Sequence, residues 1–146
     1  MEQVWRCIIP AEAIYEPKHF EDHKPERWII MQPGALPMGI AGIYRKWRAP
    51  DGKELYTFAM LTINADAHPV MQQFHRPNEE KRMVVILDPG DYGDWLSCPV
   101  ADAPQFFKPW MGSLEVGPKP LAPRETKSKP LKEVKPPLPD RGDELF

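Results

Sequence analysis

YTFAMLTI, residues 56–63, carries the strongest strand signal in the chain, because it is rich in the aromatic and β-branched residues that favour a pleated sheet. A second apolar run, Val-Val-Ile-Leu at 84–87, is typical of a buried strand. Upstream, further strand signals cover residues 6–9, 27–31 and 39–44. Strands therefore dominate this chain.

Helix signals are fewer and less regular. Asp66 as a cap and Pro69 in the first turn predict a helix running from about residue 64 to Phe74. Two short helices are predicted at 89–96 and 103–107. Because strands and helices do not alternate regularly, we expect an α+β domain with a curled, mostly antiparallel sheet and short flanking helices.

The end of the chain differs in composition. Residues 117–146 hold seven prolines and twelve charged residues, too little apolar surface to offset the entropy of ordering them. We therefore expect a folded domain over 1–116 and a disordered tail over 117–146. The tail closes on Leu145-Phe146 after an acidic stretch, which suggests a short docking peptide, for instance for a replication clamp; the alternative is a solvated tail.

Composition excludes several classes of protein. No run of about 18 apolar residues exists, so no membrane span is predicted, and the first residues lack a secretory signal. Cys7 and Cys98 form neither a disulfide framework nor a metal-ligand spacing, so we expect a cytoplasmic protein with reduced thiols and no metal or cofactor. The net charge of −2 means that any nucleic-acid site must be a local basic patch.

Two side chains suited to proton transfer stand out. Glu16 follows the first apolar run, and His75 lies between the runs at 56–63 and 84–87. A carboxylate and an imidazole on apolar supports are what acid–base chemistry requires, although no obvious nucleophile accompanies them. Taken singly, Glu16 could be a surface carboxylate, and His75 could be a helix C-terminal histidine favoured by the helix dipole.

Four motifs in order resemble the SOS response-associated peptidase (SRAP) family. RCIIPA at 6–11 with IYE at 14–16 is similar to the family signature R-C-L-I-P-A-x-G-F-Y-E. The segments GIYRKW at 42–47 and FAMLT at 58–62 resemble its G-L-W-x-x-W and F-x-I-L-T strands. The stretch 75–87 is similar to its H-x-R-M-P-V-I-L segment, so the resemblance covers about residues 5–115.

The resemblance implies a barrel-like fold and a concrete chemistry. Family members recognise abasic sites in single-stranded DNA and form a covalent thiazolidine through an N-terminal cysteine. Glu16 and His75 match the active-site glutamate and histidine, and Thr62 matches a residue that lines the pocket.

The resemblance also implies DNA contacts. Arg76 and Arg82 are both candidates for the phosphate-holding arginine, because residues 77–81 are inserted between them and either could fill that role. Trp47 offers a stacking face for a base.

One part of the family pattern has no counterpart. The Met-Cys-Gly-Arg start and the Asn-Ala-Arg motif should precede Arg6, whereas this sequence begins at Met1-Glu2. We therefore expect an N-terminally incomplete domain that forms no thiazolidine by itself, leaves unpaired sheet edges, and aggregates or depends on a partner segment. The alternatives are a non-catalytic remnant that binds single-stranded DNA without crosslinking and, more weakly, an ordinary cysteine- or metal-dependent protease.

Overall fold

The computed structural model describes residues 4–122. Within that range the strands are β1 (Trp5–Ala11), β2 (Ile14–Lys18), β3 (Glu26–Met31), β4 (Met38–Arg48), β5 (Glu54–Met60), β6 (Thr62–Asn64), β7 (Arg82–Val84), β8 (Ile86–Leu87) and β9 (Glu115–Pro118). The α-helix α1 covers Tyr92–Ser97, and short 3-10 helices cover Pro33–Ala35, Met71–Gln73, Pro89–Asp91 and Val100–Phe106. No helix among these residues is long and apolar enough to cross a bilayer.

The larger sheet is built around β4. β1 pairs with β4 antiparallel on one side, with Cys7 opposite Gly42. On the other side β4 pairs with β5 along its second half and with β8 along its first. Because β4 and β5 are consecutive, the Pro-Asp-Gly turn at 50–52 closes them into the hairpin expected from the sequence.

The sheet branches at one point on β4. There the backbone N–H of Leu61 donates to Ala41 (2.9 Å), that of Ala41 donates to Val85 (2.8 Å), and that of Val85 donates to Leu61 (2.9 Å). Beyond this junction the chain of β5 continues as β6, which pairs with β7 antiparallel. Because the side chains of Leu61, Ala41 and Val85 pack in one apolar cluster, core packing and backbone hydrogen bonds together hold the branch point.

A smaller antiparallel sheet, in the order β2-β3-β9, carries the other side of the molecule. Glu16 on β2 lies opposite Trp28 on β3, and Trp28 lies opposite Pro118 on β9. β2 is therefore the outer strand of this sheet, and its free side is open to contact from the segment that follows β6.

The core consists of three apolar clusters. One joins the branch point to Trp95 of α1 and Phe106, and a second joins Ile30 to Phe74 under the smaller sheet. The third packs β4 against β8. Gly39 is required in β4 because the ring of Tyr92 occupies the space that a Cβ at this position would need. Full burial of one core side chain, such as Phe74 or Ile30, contributes about 1.5–3 kcal/mol to the free energy of folding.

The expected fold class is confirmed: the chain is α+β, with antiparallel sheets and short helices. The sheets of residues 4–122 stay open and do not close into a barrel. The predicted domain boundary at 116 falls inside β9, and 123–146, including Leu145-Phe146, lie outside the described residues.

The predicted helix from about residue 64 to Phe74 is wrong. The chain is still in β6 at Asn64 and then makes tight turns, with only the 3-10 helix at Met71–Gln73. The reason is local: the ring of His68 accepts hydrogen bonds from the backbone N–H groups of Val70 (3.1 Å) and Met71 (3.0 Å), which fixes a turn.

Candidate functional site

Glu16 and His75 meet beside the open edge of β2. The backbone N–H of His75 donates to the carbonyl of Pro17 at 3.1 Å, and His75 forms a parallel bridge with Lys18. This contact brings His75 Nε2 to 3.7 Å from Glu16 Oε2. The two proton-transfer groups predicted from distant parts of the sequence therefore lie together.

Both side chains are largely sheltered from water, with 26% of His75 and 17% of Glu16 exposed. Burial raises the pKa of the Glu16 carboxyl above its ordinary value of 4.5, and the nearby His75 partly opposes that rise. His75 Nε2 also lies 3.0 Å from the carbonyl oxygen of Arg82. Because a carbonyl only accepts, Nε2 carries a hydrogen in this arrangement, and it lies beside a carboxyl able to exchange a proton.

The backbone of His75 is held in an uncommon conformation. Its φ is +62°, in the left-handed region that side chains with a Cβ seldom adopt. The bond to Pro17 and the ring contact with Arg82 fix this conformation from two sides. Such conformations persist where the surroundings over-determine them, and they cluster at functional sites.

Lys18 clamps the turn that carries His75. Its Nζ donates to Gln73 Oε1 at 2.9 Å and lies 3.9 Å above the ring of Trp28. Trp28 in turn meets the ring of buried Phe74 edge-on, with 6.3 Å between ring centroids. Sequence reasoning missed this clamp. The signal available was that residues 16 and 18 share one face of a strand.

Arg82 and Thr62 extend the site onto β6 and β7. Two guanidinium nitrogens of Arg82 donate to Thr62 Oγ1, from Nη2 at 2.6 Å and from Nε at 3.1 Å. A third nitrogen, Nη1, pairs with Glu80 at 3.3 Å. Since the Arg82 carbonyl also contacts His75, the structure joins Thr62, Arg82, His75 and Glu16 into one contiguous group.

Arg76 lies next to His75 in sequence but faces elsewhere. Its side chain is 70% exposed and pairs with Glu79 at 3.4 Å. The inserted segment 77–81 is tied back to the end of β6, because the N–H of Lys81 donates to Asp66 Oδ1 at 2.8 Å. Of the two candidate arginines, only Arg82 contacts other members of the group.

Trp47 is not brought to the group. It lies near the far end of β4, opposite Leu55 of β5. Seven residues of extended chain separate Leu55 from Thr62, a distance of about 23 Å at ~3.3 Å per residue. A stacking role for Trp47 would therefore require DNA to run along the larger sheet.

His68, a third histidine on the segment between β6 and β7, is buried. Its Nε2 lies 2.7 Å from the carbonyl of Trp110 and donates to it, while Nδ1 accepts the two turn N–H groups. Both nitrogens are used by the protein itself. His68 is therefore a structural histidine that shapes the turn leading to His75.

The two cysteines stand apart from the group. Cys7 lies within β1, where burial raises its thiol pKa, and its carbonyl accepts a hydrogen bond from Trp95 at 2.9 Å. Cys98 ends α1. Both are internal residues whose nitrogens are amides, so neither places an α-amine beside its thiol.

An open pocket of about 360 Å³ reaches Glu16 from the side of the β2–β3 pair. Tyr15 and Arg27 line it as well, and the guanidinium of Arg27 lies 3.7 Å above the Tyr15 ring. His75 does not line this pocket. Glu16 is thus open to this pocket, whereas His75 borders the exposed pair of strands β6 and β7, which carry Thr62 and Arg82.

Comparison with known proteins gives a consistent result. The family model "SOS response associated peptidase (SRAP)" matches residues 1–118. The abasic site processing protein YoqW of Bacillus subtilis is 33% identical over 92 residues, which are 63% of this chain and 38% of that protein. The abasic site processing protein YoaM of the same organism is 30% identical over 103 residues, covering 70% of this chain and 42% of that protein.

Comparison with solved structures shows the same fold. A protein from Bordetella bronchiseptica is 40% identical with a TM-score of 0.74, and the match covers 80% of this chain and 55% of that one. A protein from Bacteroides thetaiotaomicron, 23% identical with a TM-score of 0.68, shares the fold over 78% of this chain and 49% of that chain. The chain therefore spans about two fifths of the curated relatives and about half of the solved chains.

Proposed function

The chain belongs to the SOS response-associated peptidase (SRAP) family, and we propose that it takes part in processing abasic sites in single-stranded DNA, with Glu16 and His75 as its proton-transfer pair. The observation that carries the proposal is the 3.7 Å approach of His75 Nε2 to Glu16 Oε2 in a sheltered corner of the fold. The names of the curated relatives, abasic site processing proteins, supply the substrate class.

The chemistry of an abasic site fits this pair. In its ring-opened form the sugar carries an aldehyde, to which an amine adds to give a carbinolamine. The carbinol oxygen then leaves as water when it receives a proton, and the nitrogen loses one, giving an imine. Addition of a thiol across that C=N bond closes a thiazolidine, so one water is released overall.

The raised pKa of Glu16 suits it to these two proton transfers. In its protonated form this carboxyl can protonate the departing oxygen and, once ionised, accept the proton from nitrogen; burial, by raising its pKa, favours the protonated form. His75 Nε2, which carries a hydrogen, is placed to stabilise the Glu16 carboxylate between these steps. Each transfer of this kind contributes typically about 10²–10⁴ in rate.

The amine and thiol that together form the thiazolidine must come from outside residues 4–122. Cys7 and Cys98 have no free α-amine, and neither contacts the pair. We propose that this chain supplies the proton-transfer and DNA-holding half of the reaction. The alternative is that the chain binds single-stranded DNA without crosslinking it. The absence of such a nucleophile among the described residues also supports that alternative.

Arg82 is the residue that we assign to the DNA backbone. It lies on the exposed side of the group and has a single carboxylate partner, Glu80. Thr62 fixes the guanidinium in place through Oγ1 and its carbonyl, so the one remaining Nη1 hydrogen is pre-oriented for a phosphate oxygen.

The test supplies the missing nucleophile as a small molecule. The full chain is incubated with an abasic single-stranded oligonucleotide and free L-cysteine, which offers an amine and a thiol, and thiazolidine formation on the oligonucleotide is followed by mass spectrometry. We expect the chain to accelerate the reaction and Glu16→Gln or His75→Gln to remove about 10²-fold or more of that acceleration.

Glu12→Gln serves as the matched control, because Glu12 is an exposed carboxylate four residues away. Its rate should equal that of the unchanged chain. Equal rates with and without the chain would contradict the proposal. If the chain in that case still bound abasic oligonucleotide in a salt-dependent manner, the binding-only alternative would hold.

A further inference from the structure

Lys18 follows Glu16 by two residues on β2, so the two side chains lie on the same face of the strand. Burial alternates accordingly, since Glu16 and Lys18 are half-buried and Pro17 between them is exposed. Lys18 also forms the bridge with His75. One face of β2 therefore presents both the proton-transfer carboxyl and a cation to the segment that carries His75.

The amide side chain of Gln73 connects Lys18 to this segment. Gln73 ends the 3-10 helix Met71–Gln73 and lies two residues before His75. Its Nε2 donates to the carbonyl of Val70 at 2.9 Å, and its Oε1 accepts from Lys18 Nζ at 2.9 Å. One end of the amide is thus bound within the turn and the other end to β2, so the turn is tied to the strand.

Aromatic rings hold the Lys18 ammonium in the place where it meets that amide. Nζ lies 3.9 Å from the ring centroid of Trp28 and 5.7 Å from that of Phe20. The Trp28 ring is itself fixed, because its Nε1 donates to Glu26 at 3.2 Å and its edge contacts the buried ring of Phe74. A cation is attracted to the face of an aromatic ring. The position of the ammonium is therefore set by the protein, without any contribution from DNA.

We propose that Lys18 is a positioning residue for the Glu16–His75 pair: by holding Gln73, it keeps the turn against β2 and the imidazole within reach of the carboxyl. The turn needs such a restraint, because His75 has a φ of +62°, a conformation that persists only where its surroundings impose it. The effect on reaction rate rests on the proposed function of the pair. The positioning itself is a property of the chain alone.

The first experiment uses no DNA and titrates the Glu16 carboxyl by carbon NMR. Lys18→Met keeps the apolar stem and removes the cation, so the imidazole should move away and the pKa of Glu16 should rise, because His75 opposes the effect of burial. Lys18→Arg keeps a cation that can reach the same amide and ring, and it should restore the original pKa.

The same titration in a His75→Gln background separates positioning from a direct effect of charge. If Lys18 acts through His75, Lys18→Met should cause little further change once the imidazole is gone. An equal rise in both backgrounds would show that the ammonium acts on the Glu16 carboxylate directly, and it would overturn the proposal.

The second experiment measures the reaction of the full chain with abasic oligonucleotide and L-cysteine. Lys18→Met should lower kcat by about 10-fold, as expected for loss of a hydrogen bond to a charged group, with KM for the oligonucleotide nearly unchanged. The salt dependence of oligonucleotide binding should also stay the same. A salt slope lower by about 0.7 with kcat retained would instead assign Lys18 to a DNA phosphate and overturn the proposal. If the unchanged chain gives no acceleration, the proposed function fails, and the titration still decides the role of Lys18.

Two further variants complete the test, and circular dichroism should show that all variants keep their fold. Lys24→Met is the matched control, because Lys24 is exposed on the loop between β2 and β3, and it should leave the Glu16 pKa unchanged. Gln73→Met breaks the same contact from the other side and should reproduce the rise seen with Lys18→Met, with no larger rise when both are changed. No rise with Gln73→Met, or additive rises in the double variant, would overturn the proposal.

Discussion

The corner at Glu16 and the exposed strand β5 both lie at the edge of a sheet, yet their side chains are packed to very different degrees. At the corner, Trp28 contacts both Lys18 and Phe74. His75 is held there through both its backbone and its ring. On β5, by contrast, Tyr56 and Phe58 are more than half exposed. The difference shows that the corner is packed within this chain, whereas the side chains of β5 have no cover among residues 4–122.

The largest effect should separate two phenylalanines, one from each region. Phe74 is fully buried under the Glu16 corner, whereas Phe58 is 69% exposed on β5. Phe74→Ala removes a packed ring and should lower the free energy of unfolding by about 3–5 kcal/mol. Phe58→Ala should change it by less than about 0.5 kcal/mol, as surface substitutions do.

Urea denaturation of the two variants beside the unchanged chain gives the comparison. The same cost at both positions would mean that β5 is already covered in the isolated chain. The distinction drawn between the two regions would then be wrong.

A smaller effect should distinguish the two arginines near the corner. Arg82→Gln removes a cation held against Thr62, and each phosphate contact on single-stranded DNA contributes about 0.7 to the slope of log affinity against log salt. Arg76→Gln serves as the matched change, because Arg76 is paired with Glu79 away from the group. Fluorescence anisotropy across a salt series should show a lower slope for Arg82→Gln alone. A reduction for Arg76→Gln instead would move the phosphate contact to the inserted loop.

The sequence was sufficient for the strand pattern and for the Glu16–His75 pair, but it could not say what is buried. Residues 56–63 predict a strand from their composition, and the structure has β5 and β6 there. Composition does not indicate whether such a strand is covered, and β5 is exposed. His68 shows the reverse case. Nothing in the residues around it signals burial, whereas its ring is buried because it satisfies two backbone N–H groups and the Trp110 carbonyl.

Which of Arg76 and Arg82 contacts the Glu16–His75 group depends on loop closure, which residue types alone do not reveal. Residue spacing left both arginines open, and the tie between Lys81 and Asp66 directs the loop so that only Arg82 faces Thr62. Trp47 illustrates the same limit, since a strand motif does not indicate which of its ends lies near a site.

Titration of the Glu16 carboxyl by carbon NMR tests the central claim most directly. Burial should place its pKa above 4.5 in the full chain, and His75→Gln should raise that pKa further, because the imidazole opposes the effect of burial. A Glu16 pKa at its ordinary value, or one unmoved by His75→Gln, would show that the two groups do not share a site.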